Sequence, residues 1–237
     1  MKKILTILIF SLSWMNLFSQ TTIQFINPSF EGIPKPSAYI YSWSDCGSKE
    51  FEGDSPSDLQ PGSFGVDMEP VEGSTYLGMV TRAYGSYESV CQELEADLIA
   101  DSLYQFSIYL AKSGEYASPI SPKDPLYIQR EDPIPLSRKE RKAARKKGIK
   151  HESSIVGIVD SVDYTQNCIL RIWGGSSLCS KEELLCESAE IDHTDWQKYN
   201  ILFSPTVNNL QFISLEAYYP DETKFTRGNL MLDFTHD

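Results

Sequence analysis

The tetrapeptide Leu170-Arg171-Ile172-Trp173 alternates apolar residues with larger amphipathic ones, the spacing of a half-buried strand. With Leu170 and Ile172 turned inward, Arg171 and Trp173 share the opposite face. An outward indole beside a guanidinium is a platform for a sugar. The flat ring stacks on the apolar face of a pyranose, and fixed polar groups hold its hydroxyls. Arg82, Tyr84 and Tyr87 surround Gly85 in a loop and are candidates for the same ligand-binding surface. The competing reading of all five is ordinary packing beneath a neighbouring loop.

Residue types for covalent catalysis are also present, but in the wrong setting. Gly53-Asp54-Ser55 and Asp233-Phe234-Thr235-His236 echo the serine turn and the Asp-x-x-His pair of SGNH hydrolases. A serine nucleophile needs a nearby histidine oriented by a carboxylate. In that family the serine follows an apolar parallel strand. Here Gly53 follows Lys49-Glu50-Phe51-Glu52, Pro56 comes next, and no Gly-x-Asn-Asp block supplies oxyanion donors. His-Glu-x-x-His, Gly-x-Ser-x-Gly, the phosphate loop and the dinucleotide glycine motif are all absent. His151, His193 and His236 are far apart in polar contexts. The chain is therefore expected to bind rather than to catalyse.

A third chemistry is electrostatic. The segment from Ile120 to Glu152 opens with prolines and then carries Arg138, Lys139, Arg141, Lys142, Arg145, Lys146, Lys147 and Lys150 against Glu140. Such a field attracts an anionic surface, lipopolysaccharide or an acidic protein in a cell envelope; a solvated loop is the competing reading. Ser137 with Glu140 forms a capping box that predicts a helix ending at Gly148. That helix has no apolar face, so residues 120–152 are expected to be an insertion between strands. The chain as a whole carries a net charge of −12, which argues against nucleic acid as a partner.

The elements that must position these residues are strands. Tyr104, Phe106, Ile108 and Leu110 share one face, with Gln105, Ser107 and Tyr109 on the other. Tyr199, Ile201 and Phe203 repeat the pattern, as do Ile213, Leu215 and Ala217, and Leu230, Leu232 and Phe234. Thr75 to Val80, Tyr87 to Leu94, Cys168 to Trp173 and a first strand beginning at Ile23 and Phe25 complete about eight strands. The fold class is all-β, an antiparallel sandwich or jelly roll. Ser180 with Glu183 predicts a second short helix over Lys181 to Glu187.

Met1-Lys2-Lys3 followed by an apolar run from Ile4 to Phe18 reads as a secretory leader, cut before Gln20. That run falls short of the ~20 residues that span a bilayer. The expected location is extracytoplasmic, with residues 20–237 forming one sandwich domain. Cys46, Cys91, Cys168, Cys179 and Cys186 would then meet an oxidising compartment, where up to two disulfides can form. A helix between Cys179 and Cys186 would hold them about 10 Å apart, beyond the ~7 Å limit for a bridge. These two are expected not to pair.

Several segments carry a resemblance. Asn27-Pro28-Ser29-Phe30-Glu31-Gly32, Gly73-Ser74-Thr75-Tyr76-Leu77-Gly78, Val90-Cys91-Gln92-Glu93-Leu94, Asp195-Trp196 before Tyr199 and Leu230-Met231-Leu232-Asp233 are similar to the strands of galactose-binding-like jelly rolls. That superfamily includes many carbohydrate-binding modules. More narrowly, Trp43 to Gly47, Tyr76 to Val80, Leu170 to Gly175 and Cys179 to Leu185 resemble a group of uncharacterised secreted bacterial proteins. The resemblance implies that Trp43 and Trp196 pack in the core. It also implies a structural calcium where the first and last strands meet, at Glu31 and Asp233. Two functions follow as expectations: a lectin-like, carbohydrate-binding module, or an envelope or surface assembly protein that uses the same sandwich to hold another protein.

Overall fold

A computed structural model describes residues 20–48, 54–127 and 161–235. Thirteen strands run in order: β1 (Gln20–Thr22), β2 (Ser44–Asp45), β3 (Asp58–Gln60), β4 (Tyr76–Thr81), β5 (Ser89–Leu98), β6 (Leu103–Lys112), β7 (Ala117–Pro119), β8 (Ser161–Asp163), β9 (Ile169–Gly175), β10 (Glu183–Glu187), β11 (Gln197–Phe203), β12 (Leu210–Tyr218) and β13 (Gly228–Asp233). There is no helix among the described residues, and so none that could cross a membrane.

The strands form two main sheets. In the first, β6 pairs with β11 on one side, and on the other with β1 at its start and β13 at its end; β4 and β3 follow beyond β13. The second runs β10-β9-β12-β5-β2. Every pairing is antiparallel except β1 with β6.

Alternation explains why the sheets stack. Leu77, Ile108, Leu110, Leu230 and Leu232 of the first sheet meet Val90, Leu170, Ile172, Ile213 and Leu215 of the second in one buried cluster. Each such side chain contributes roughly 1.5–3 kcal/mol when withdrawn from water. Trp43 joins this core at 3% exposure.

A third layer covers the back of the first sheet. β7 and β8 form an antiparallel hairpin whose neighbours Tyr116 and Tyr164 pack on Tyr76, Val80 and Met231. Trp196 packs against this second cluster, edge-on to Tyr76 at 5.2 Å, rather than in the sandwich core. The expected basic insertion falls in the connection of this hairpin. Its residues from 128 onward, with the helix expected over Ser137 to Gly148, lie outside the described residues, as do residues 1–19, where a leader is expected.

The helix expected over Lys181 to Glu187 is instead strand β10, paired with β9. The capping box fails because its members are taken elsewhere. The Ser180 hydroxyl donates to the Ser177 carbonyl, and Glu183 accepts from the Thr206 and Val207 amides at 2.7 and 3.3 Å. Cys179 and Cys186 do remain unpaired with each other. Cys46 and Cys179 form a disulfide across 5.4 Å between Cα atoms, a bond at home in an oxidising compartment. Cys91, Cys168 and Cys186 are free thiols.

Candidate functional site

Three of the sequence candidates come together on the outer face of the second sheet. Leu170 and Ile172 enter the core, so Arg171 and Trp173 point outward. Both side chains are already occupied there. The Arg171 guanidinium donates to Glu187 at 2.6 Å and Glu222 at 2.5 Å, and lies 3.7 Å above the Tyr218 ring. The Trp173 indole N–H donates to Glu216 at 3.1 Å. Lys181 pairs with the other oxygen of Glu216 and sits over the ring of Tyr87, whose edge meets Tyr218. A chain of contacts thus runs from Arg171 through Tyr218, Tyr87, Lys181 and Glu216 to Trp173. It holds the loop after β9 down on the sheet.

Arg82 and Tyr84 lie apart from this face. Arg82 pairs with Glu88 at 2.6 Å in a buried site, and Tyr84 donates to Asp54 at 3.1 Å. Tyr116 of the covering layer donates to Asp58 at 2.6 Å nearby. Burial pushes the carboxyls of Glu88 and Asp58 upward, and Arg82 opposes the shift. The Tyr219 hydroxyl lies 2.8 Å from the carbonyls of both Arg82 and Ser86, tying down the turn at Gly85. This cluster welds the third layer to the sandwich.

The hydrolase-like pattern finds no support among the described residues. Ser55 donates to Asp45, and His193 is bonded to the Asp195 carbonyl and the Tyr199 hydroxyl. Gly53 and His236 lie outside the described residues.

Glu31 and Asp233 do approach a common loop. Asn27, at a φ of 51°, accepts from the Glu31 amide and sets the turn that presents the glutamate. Glu31 accepts from the Ser74 amide at 3.0 Å, the Thr75 amide at 3.4 Å and the Ser74 hydroxyl at 2.7 Å. Asp233 accepts from the amides of Val71, Glu72 and Phe234. All four carboxylate oxygens are thus met by N–H or O–H donors. As arranged, the pair forms a double clamp on residues 71–75. No cluster of three or more acidic, histidine or cysteine side chains converges as a metal site among the described residues. Burial pushes the Asp233 carboxyl up to about 7; its amide partners oppose the shift, and the charge of Glu31 adds to it.

A site that the sequence does not announce lies in the first sheet. β1 pairs with residues 103–105 of β6 and β13 with residues 109–112, leaving a gap between them. The Gln105 carbonyl accepts from Ile23 on that side, so by the alternation of the ladder the Ser107 amide and carbonyl face the gap. A cleft of about 460 Å³ fills it. Phe25, half-buried, forms its floor with Phe106 and Phe234, at ring separations of 5.2 Å each. Gln24, Asn27, Gln105, Ser107, Asn200 and Thr235 supply amides and hydroxyls, and no lining residue carries a charge. Ser107 donates to Asn200 at 2.9 Å and Gln105 to Thr22 at 3.3 Å, which fixes the rim in place.

No protein-family model matches the chain, and no curated protein matches it.

Proposed function

We propose that this protein is a secreted, non-catalytic binding module whose ligand is a carbohydrate. The observation that carries the reading is the cleft between β1 and β13. It combines an aromatic floor with a fixed, uncharged rim of amides and hydroxyls. Sugars present that chemistry in mirror image: apolar C–H faces and a ring of hydroxyls that both donate and accept. The exposed backbone of Ser107 adds a donor and an acceptor in the same place. The resemblance to galactose-binding-like jelly rolls agrees with it, although fold alone does not supply function.

A glycan array probed with the purified protein tests the reading, with Gln105→Ala and Asn200→Ala as rim variants and Trp173→Ala as a contrast. Binding lost in the rim variants and kept in Trp173→Ala supports the cleft. Binding lost only in Trp173→Ala moves the ligand to the outer face of the second sheet. Absence of binding to any glycan overturns the proposal.

A second reading, an envelope or surface assembly protein, draws on one feature. Ile33, Tyr39 and Tyr41 are 82%, 81% and 67% exposed on a single loop. Exposed large apolar side chains are candidates for a contact surface. The basic segment would then add attraction to an anionic partner.

A further inference from the structure

We infer that a groove at the edge of the second sheet binds an organic cation, an ammonium or guanidinium group. The groove, of about 330 Å³, lies where the loop carrying Tyr39 approaches the loop carrying Leu178. Two accessible aromatic residues line it, Tyr39 and Phe212, beside Trp43, whose ring is buried in the core. Glu93 is the charged residue among its lining. It is exposed and has no ion-pair partner among the described residues. Lys181, on the second of the two loops, is already committed to Glu216.

Aromatic faces carry negative charge density and attract a cation within about 6 Å of the ring centre. A carboxylate beside them adds a charge-assisted hydrogen bond to an ammonium or guanidinium N–H. A neutral sugar would leave the charge of Glu93 unused, and an anion would be repelled by it and by Glu95 and Asp97 further along β5. The aliphatic wall at Leu178 favours the methyl or methylene groups next to the charge.

The site is held open before any ligand arrives. The Cys46–Cys179 disulfide joins the end of β2, three residues past Trp43, to the residue that follows Leu178. Cys179 also reaches the Asp45 carbonyl at 3.6 Å. Ser42 and Cys179 adopt left-handed φ angles of 66° and 62°, which bend each loop beside the groove. A groove with fixed walls loses little conformational freedom on binding. This inference is independent of the sugar reading, since the two sites share no residue.

The cation has two sources, a free quaternary ammonium head group or the side chain of a partner protein. Calorimetric titration of the purified protein with choline, with N-acetyl-lysine methylamide and with 3,3-dimethyl-1-butanol tests the chemistry and separates the sources. The last is a neutral isostere of choline. At least one cation is expected to bind tenfold or more tightly than the isostere. Glu93→Gln and Tyr39→Ala are each expected to weaken it at least fivefold, with unchanged thermal unfolding because both side chains are exposed. Preference for choline assigns a head group, and preference for the lysine derivative assigns a protein side chain. Equal binding of the isostere, full binding in both variants, or no cation binding at roughly 20 mM would each overturn the inference.

Discussion

Removing the Cys46–Cys179 bridge by the double replacement Cys46→Ser, Cys179→Ser should cost the protein more than any single exposed side chain. The bond joins residues 133 positions apart. Closing a loop of that size in the unfolded chain costs about 17 cal/mol/K, or about 5 kcal/mol at room temperature, by the loop-entropy relation. Native bridges in small domains return about 2–5 kcal/mol when removed, so the expected loss lies near the top of that range. For a domain of this size each kcal/mol moves the melting temperature by roughly 2–4 °C, which places the shift near 10 °C or above. Urea unfolding followed by tryptophan fluorescence, under non-reducing conditions, gives the free energy directly. The double mutant, rather than either single one, avoids a stray thiol that exchanges with Cys91 or Cys186. The reasoning is refuted if the loss stays below about 1 kcal/mol with an unchanged denaturant slope.

Asp233 makes stability depend on pH in a defined direction. Its folded-state value of about 7 exceeds the ordinary 3.8, so its favourable contribution is complete below pH 4 and disappears as pH rises through 7. Between pH 5 and 8 the wild type should lose about 2.5 kcal/mol that Asp233→Asn does not, compared by unfolding midpoints. Arg82→Met leaves Glu88 buried without its cation and should destabilise by about 3–5 kcal/mol in the same assay, with Arg82→Met, Glu88→Leu recovering part of the loss. At Gly228 an added Cβ would collide with the Cys168 sulfur and with the Gln166 carbonyl oxygen. Gly228→Ala should therefore cost about 1–3 kcal/mol, read as a lowered melting temperature. A calcium chelator should leave the melting temperature unchanged, because Glu31 and Asp233 hold amides and hydroxyls.

The long strands were legible because their alternation is imposed by the pleat: Tyr104 to Leu110 and Tyr199 to Phe203 can bury one face only as strands. Short strands such as β2 and β3 have too few residues to show a period, and their pairing comes from β5 and β4. The segment after Ser180 misled because its capping box is a local signal. Pairing with β9, together with the amides that Glu183 captures from residues 206–207, outweighs one helix start. The outward turn of Arg171 and Trp173 was readable from β9, but the acids that occupy them were not. Glu187, Glu216 and Glu222 belong to other segments and look like ordinary surface carboxylates in a chain this acidic. The cleft was hidden for a similar reason. Gln105 and Ser107 read as the wet side of β6, and only the unequal reach of β1 and β13 makes that side concave.

The hairpin of β7 and β8 behaves like a socket. Its stem is fixed by Tyr116 and Tyr164, and Arg227 clamps Asp124 beside it with a two-pronged contact at 2.8 and 2.5 Å. The described ends of the connection, Tyr127 and Ser161, are therefore anchored by contacts of their own. Doubling the length of such a connection costs only about 0.6 kcal/mol. Sequence added after Tyr127 would therefore tax the anchored stem little, at a point remote in sequence from the residues of both proposed binding sites.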